Sequence, residues 1–141
     1  MCWVLYLAAD HPLPLHVFDP GAPAFNVAEL TGRETAVRVQ FSKPFVYSLG
    51  AHTSCGCGFD RGQAHPDRPA ELEATETSLR ALCVYLGAAL DVSGSLELFA
   101  CWDGDQAAPP DHRWRLEVAD FGRQMGWFPD RTFIEVIAGA A

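Results

Sequence analysis

The first apolar run of the chain predicts a strand that is buried on both faces. Between Cys2 and Ala8, apolar side chains occupy both of the alternating faces that a strand presents, as is typical of strands inside a sheet. Four prolines then fall between positions 12 and 23, and proline interrupts both helices and strands. The sequence therefore predicts an interior first strand, followed by a long ordered loop through about residue 24.

The next segment carries two competing patterns. Thr31 and Glu34 fit a capping box that precedes apolar residues at helical spacing, which predicts a short helix over 31–42. Positions 35–41 also show the alternation of an amphipathic strand. A Lys-Pro pair ends either element, and Phe45–Leu49 then predicts a second core strand.

The longest periodic pattern predicts a helix over about 69–91. Its apolar residues recur at helical spacing, whereas its early glutamates lie off the apolar stripe and suit the positive end of the helix dipole. Because Cys83 lies on that stripe, we expect it to be a core residue. The stripe comprises Leu72, Leu79, Leu82, Cys83, Leu86 and Leu90.

Three strand-like segments close the chain. Ser95–Trp102 and Arg113–Asp120 are joined across Asp-Gly and Pro-Pro turn signals, which predicts that they run antiparallel. Thr132–Ile137 predicts the last strand. Together the elements predict an α+β fold with one domain over 1–141, in which one long and one short helix pack on a mixed sheet of about five strands.

This order of elements gathers chemically useful residues at one edge of the sheet. If the two helices are crossover connections, the first three strands run parallel. Such sheets bind ligands beyond the carboxyl ends of their strands. The residues predicted to lie there are Asp10, His11, His52, Cys55, Cys57, Cys101, Asp103, Asp105 and His112.

Residues 50–60, GAHTSCGCGFD, form the most unusual run of the chain. They open a connection of about nineteen residues without a clear element, and loops of that length are commonly functional. Tetrahedral zinc needs sulfurs about 3.8 Å apart, whereas alternate residues of a strand stand about 6.5 to 7 Å apart. Gly56 is predicted to supply the bend that closes this gap. The predicted zinc ligands are His52, Cys55 and Cys57, with Cys101, His11 or Asp103 as the fourth.

Three other interpretations use the same loop. A dithiol at Cys55 and Cys57 would form a disulfide whose ring is small and strained and therefore easily reduced, and a protonated His52 would favour the thiolate. A hydrolytic or acyl-transfer site would use either cysteine as the nucleophile and the glycine-rich backbone as an oxyanion hole. Alternatively, the glycines allow a tight left-handed path, and the cysteines are small buried residues without chemistry. The bases and orienting carboxylates considered for the hydrolytic site are His52, His112, Asp10 and Asp103.

Two short stretches resemble known proteins. Met1-Cys2 resembles the start of class II glutamine amidotransferases, and the resemblance implies an N-terminal cysteine nucleophile whose own amine acts as base. A buried first strand also accounts for Cys2, and parallel strands would place it about 23 Å from the loop. Phe41–Tyr47, followed by the His/Cys-Gly-Cys-Gly loop, resembles a segment of small uncharacterised bacterial proteins, which implies no catalytic or binding residues.

Composition and charge narrow the expected partners. A net charge of −8 gives little electrostatic attraction to a phosphate backbone or an anionic bilayer. The apolar start lacks the basic lead of a signal peptide, and five cysteines is an odd number for a disulfide framework. We therefore expect a cytoplasmic protein of unknown activity and ligand, without nucleic-acid or membrane partners. Gly126–Pro129 is a candidate surface for homo-oligomer formation.

Overall fold

The computed structural model describes residues 2–124 and 129–139. Within these residues, six strands form one mixed sheet, accompanied by two α-helices and three 3₁₀ helices, and the predicted α+β class is confirmed. The strands are β1 (Trp3–Ala9), β2 (Phe25–Glu29), β3 (Phe45–Ala51), β4 (Ser95–Trp102), β5 (His112–Glu117) and β6 (Thr132–Ile137). The helices are α1 (Pro69–Ser93) and α2 (Val118–Gln124), and the 3₁₀ helices are Gly32–Gln40, Gly56–Phe59 and Arg61–Gln63.

The first strand of the chain lies near the middle of the sheet. The strand order is β2-β3-β1-β4-β6-β5. β1 is antiparallel to both of its neighbours, and Leu5 pairs with Leu49 of β3 on one side and with Ala100 of β4 on the other. β3 and β4 therefore run in the same direction, with β1 opposed between them.

The parallel arrangement expected for the first three predicted strands is thus wrong. The physical reason is β2, which falls directly after the proline-rich segment and pairs antiparallel with β3, so that no single helical crossover joins β1 to β3. As a result, the amino end of β1 shares one edge of the sheet with the carboxyl ends of β3 and β4. The residues that follow β1 lie at the opposite edge.

The short helix is confirmed, in the tighter 3₁₀ form. The carboxylate of Glu34 accepts hydrogen bonds from the backbone N–H and the hydroxyl of Thr31, both at 3.0 Å, which satisfies groups at the start of the helix as a capping box does. Val37 is buried, whereas Val39 is 70% exposed. The strand alternative is wrong, because in a strand these two side chains would lie on the same face.

The third and fourth predicted strands run antiparallel, as predicted, but they are not neighbours in the sheet. β6 lies between them, antiparallel to β4 and parallel to β5. β6 takes the inner position because its side chains at Ile134 and Val136 are fully buried. β5 carries Arg113 and Arg115 and occupies the edge, where charged residues discourage pairing with another sheet. The segment predicted as strand through residue 120 turns helical from Val118.

The long helix is confirmed, with one change on its apolar stripe. α1 begins at Pro69, a favoured first position, and ends at Ser93, followed by Gly94, whose φ of 76° suits glycine. Leu72 is 45% exposed, because the first turns of α1 extend past the core. In the described part of the chain, no helix has the length and apolar character needed to cross a bilayer. The candidate association surface lies outside the described residues except for Pro129.

The two faces of the sheet are covered by different elements. α1 packs through residues such as Leu86 on the face that bears Leu5. The opposite face bears Tyr6 and Cys101 and is covered by the first 3₁₀ helix, which buries Val37 there. This division matters for the site, because it separates the cysteines of the chain between the two faces.

Candidate functional site

Three cysteine sulfurs come together at the edge where β1 begins and β3 ends. The Sγ atoms of Cys2, Cys55 and Cys57 all lie within 4.8 Å of one another. Cys2 is exposed, the other two are half-buried, and all three are free thiols. We refer to these three residues as the thiol cluster.

The direction of β1 brings Cys2 into this cluster. Because β1 runs opposite to β3, its first residues lie beside the connection that follows β3. The distance of about 23 Å expected between Cys2 and the loop assumed parallel strands, and it is wrong for that reason. Cys2 is therefore the member of the cluster that the sequence pattern assigned to the wrong edge.

Gly56 allows the loop to pack directly against β1. A Cβ atom at Gly56 would lie 2.8 Å from the carbonyl oxygen of Trp3, closer than real Cβ atoms approach, and 3.2 Å from the Cα of Val4. Glycine is required here for the close approach of the two backbones. The left-handed residue of the loop is Ser54, at a φ of 64°. The interpretation of the loop glycines as a left-handed path is therefore wrong.

Hydrogen bonds hold the two loop sulfurs in place. The backbone N–H of Trp3 donates to Sγ of Cys57 at 3.2 Å, so the sulfur is tied to the start of β1. The hydroxyl of Thr53 lies 3.4 Å from Sγ of Cys55. The turn itself is closed by the N–H of Ala51, which donates to the carbonyl of Cys55 at 2.9 Å.

The two loop thiols have opposite acidities. Burial raises the pKa of Cys55, but hydrogen bonds from Thr53, from Cys57 and from the Cys2 thiol outweigh it, and the net pKa of Cys55 is lowered. Burial raises the pKa of Cys57 to about 11, because the opposing hydrogen bond from Trp3 is outweighed and the neighbouring Cys55 sulfur adds to the rise. The arrangement favours a thiolate on Cys55, with the proton kept on Cys57.

His52 lies beside the cluster and faces another partner. Its Nδ1 lies 3.0 Å from Oγ of Ser78, a hydroxyl of α1 that also accepts the backbone N–H of His52 at 3.1 Å. Burial lowers the pKa of His52, opposed by the negative charge of Glu71. His52 and Cys57 line the same small cavity of about 200 Å³. The imidazole is therefore near the cluster but outside the group of close ligand atoms.

The side chains of Cys101 and Asp103, the other predicted ligands near this edge, make their contacts away from the thiol cluster. Cys101 is fully buried on the opposite face of the sheet. Burial there, with the charges of nearby aspartates, raises its pKa to about 12. The backbone N–H of Asp103 donates to the carbonyl of Cys2 at 2.7 Å. Its carboxylate, however, accepts hydrogen bonds from Arg33 and Gln106 at 2.5 and 2.7 Å.

The remaining candidates are not brought to the cluster. Asp10 and His11 follow β1 and therefore lie at the opposite edge, where Asp10 forms a salt bridge of 2.6 Å with Lys43. His112 opens the edge strand β5 and pairs in register with Thr132. Asp10 and His112, a carboxylate and a base considered for the hydrolytic site, are thus separated from Cys55 and Cys57. Met1, which the amidotransferase resemblance involves, lies outside the described residues.

Comparison with known proteins adds no relatives. No protein-family model matches the chain, no curated protein matches it, and no solved structure matches it. The thiol cluster and its surroundings are therefore the basis for assigning a function.

Proposed function

We propose that this protein binds one thiophilic metal ion of the zinc type through the thiol cluster. The single observation that carries the proposal is the meeting of three free sulfurs, from Cys2, Cys55 and Cys57, within 4.8 Å of one another. Cysteine thiolates are common zinc ligands in proteins, and copper(I) also prefers sulfur ligands. The cluster replaces the ligand set predicted from the loop alone.

The geometry needs only a small contraction to close on an ion. Zinc at about 2.3 Å from each sulfur places the sulfurs about 3.8 Å apart, so sulfurs that lie within 4.8 Å of one another need to approach by at most about 1 Å. Cys2 is exposed and precedes the first strand residue, so its side chain has room to move. Three protein ligands leave a fourth position for water or another ligand, as in sites where the metal takes part in chemistry.

The surroundings of the sulfurs supply the support that metal ligands need. The N–H of Trp3 donates to Cys57 and the hydroxyl of Thr53 lies beside Cys55, and such partners orient thiolates and offset their charge. Because the cluster includes no disulfide, it is suited to a reducing compartment such as the cytoplasm.

Metal content tests the proposal directly. Protein purified without a histidine tag should carry, or take up from solution, one equivalent of zinc, measured by elemental analysis and by titration against a chromophoric chelator. Cys2→Ser and Cys55→Ser should each weaken zinc binding by at least tenfold. Cys83→Ser is the matched control, since Cys83 lies on α1 away from the cluster. Folded protein that takes up neither zinc nor copper(I), or a Cys2→Ser variant that binds zinc like Cys83→Ser, would overturn it.

A second function is favoured by the acidity of Cys55. Its lowered pKa and its contact with the thiols of Cys57 and Cys2 suit thiol–disulfide exchange, in which two thiols become a disulfide and two electrons and two protons pass to an acceptor disulfide. Alkylation against pH tests it: the pH at which Cys55 is half-reactive should lie below the ordinary thiol value of about 8.5. A metal-free protein in which Cys55 reacts no faster than Cys83 would end this alternative.

A further inference from the structure

The proline-rich segment between β1 and β2 is a fixed wall rather than a mobile loop. The N–H of Leu13 donates to the hydroxyl of Tyr47 at 2.9 Å, and the hydroxyl of Tyr85 donates to the carbonyl of Pro14 at 2.7 Å. Two backbone hydrogen bonds, of 3.0 and 2.8 Å, join His16 to β2. Because three separate contacts hold the segment to the sheet and to α1, the space between them is preformed.

That space is an apolar groove of about 760 Å³ between residues 12–25 and the outer face of α1. Its volume lies within the range of about 300–1,000 Å³ that small-molecule sites span. The α1 side consists of small and aliphatic side chains that leave the groove open, with Val84 75% and Val92 55% exposed. The inner end is closed by Tyr85 and Phe25, whose ring centroids are 5.3 Å apart.

One cation lies among these apolar residues. Arg80 lines the groove, and its guanidinium donates to the hydroxyl of Thr77 at 3.2 Å. Among the residues that the structure describes, it forms no salt bridge. The charge of Arg80 helps to lower the pKa of Glu76, one turn earlier on the same helix, but the Glu76 carboxylate accepts its hydrogen bonds from Arg61, at 2.6 and 3.1 Å. Arg80 therefore offers guanidinium hydrogens to a ligand, next to an apolar channel.

We infer that the groove binds a small amphipathic organic acid, with its apolar body along α1 and its carboxylate at Arg80. The charge argues for an anion, because guanidinium forks match carboxylates. The apolar lining argues for a hydrocarbon body, whose burial supplies most of the affinity. This site shares no residue with the thiol cluster, so the two proposals can be tested independently.

Calorimetric titration with decanoate, below the concentration at which it forms micelles, tests the inference. We expect one saturable site, with octanoate binding about tenfold more weakly because it buries two fewer methylenes. Arg80→Gln should weaken decanoate binding about fivefold, whereas Arg80→Lys should keep most of it. The matched control is Arg38→Gln, which removes an exposed arginine outside the groove.

Filling the groove with a larger side chain provides a second, independent test. Ala88 is exposed and lines the groove, whereas Ala70 is exposed on the same helix outside it. Ala88→Trp should reduce decanoate affinity at least tenfold, and Ala70→Trp should leave it unchanged. Absence of saturable binding, or equal binding by both tryptophan variants, would overturn the groove as a site. Decanol binding as tightly as decanoate, together with an unaffected Arg80→Gln variant, would overturn the choice of an anion.

Discussion

Gly56 is the residue on which the geometry of the thiol cluster depends. It stands between the two loop cysteines, and its missing side chain lets the loop backbone lie against Trp3 and Val4. The neighbouring sulfurs are thereby placed next to the start of β1. Any side chain at this position has to displace backbone atoms, which cannot rotate away as a flexible side chain can.

Replacing Gly56 by alanine should destabilise the protein. Its Cβ would meet the Trp3 carbonyl oxygen at 2.8 Å, and overpacking of this kind costs about 1–3 kcal/mol. The free energy of unfolding from urea denaturation measures the effect, and zinc affinity should fall with it. Gly87→Ala is the control, because nothing lies within 4 Å of its Cβ position in α1. That variant should be stabilised by about 0.5–1 kcal/mol, and a neutral Gly56→Ala would contradict the account.

At the level of single residues, the sequence identified the loop cysteines but not their partner. The Cys-Gly-Cys-Gly run is visible because its residue types are concentrated within a few positions. Cys2 lies in an apolar run that explains it equally well as a core residue, and no local pattern records the direction of a strand. The contact between Cys2 and Cys55 depends on pairing between segments about fifty residues apart, which local periodicity does not encode.

At the level of elements, Arg61 joins the loop to both α-helices. Its guanidinium donates to the carboxylate of Glu76 on α1, and to the carbonyls of Gly122 and Arg123 on α2 at 3.2 and 3.3 Å. One side chain therefore links the short Arg61–Gln63 turn with two helices. The polar contacts compensate for the small apolar area that this turn buries.

The contribution of Glu76 should depend on pH. Hydrogen bonding and the charge of Arg61 lower the pKa of Glu76, against burial, which raises it. Because the pKa of Glu76 is lower in the folded state, its ionised carboxylate stabilises the fold at pH values above the unfolded-state pKa of about 4.5. This stabilisation is lost as the pH falls through the folded-state pKa. Glu76→Gln should cost about 0.5–1 kcal/mol at pH 7, since the carboxylate is 37% exposed. The difference from wild type in urea unfolding should shrink at pH 3; a constant difference would count against the ion pair.

The sequence predicted elements better than it predicted their neighbours. Helical periodicity located α1, and the apolar runs located β1, β3, β4 and β6, because each pattern is local. β2 was missed because its five residues follow four prolines and carry no clear alternation. The pairing of β5 with β6 was missed because a turn signal between two strands favours the nearest partner, whereas burial of β6 decided the order here.

At the level of the whole molecule, the sheet is organised around β1. β1 is hydrogen-bonded on both sides, and five of its seven residues are fully buried. Its partners come from the middle and from the later part of the chain. Most strand contacts are therefore long-range, which is typical of slow-folding domains.

Amide hydrogen exchange should report this organisation. The amides of β1 around Leu5 and Leu7 should exchange only by global unfolding, because both strand edges are paired and buried. The amides of β5, at the exposed edge of the sheet, should exchange at least about tenfold faster through local opening. If NMR showed that the amides of β5 are as protected from exchange as those of β1, this picture would be contradicted.

Metal binding should stabilise the entire fold. The thiol cluster joins the start of the central strand to the loop after β3, so an ion bound there favours the native state over the unfolded one. Zinc at a hundredfold excess over its dissociation constant adds about 2.7 kcal/mol, which corresponds to roughly 10 °C in Tm. Scanning calorimetry should show this rise for wild type and for Cys83→Ser, but not for Cys2→Ser. An equal rise in Cys2→Ser would place the ion elsewhere.

The central position of β1 also bears on synthesis at the ribosome. β1 is translated before either of its neighbours, and β4 ends only at Trp102. Until that strand has left the exit tunnel, one flank of an apolar segment has no hydrogen-bonding partner within the chain. Nascent chains that stop before residue 95 should therefore bind chaperones and aggregate, whereas release past β4 lets the sheet close around its first strand.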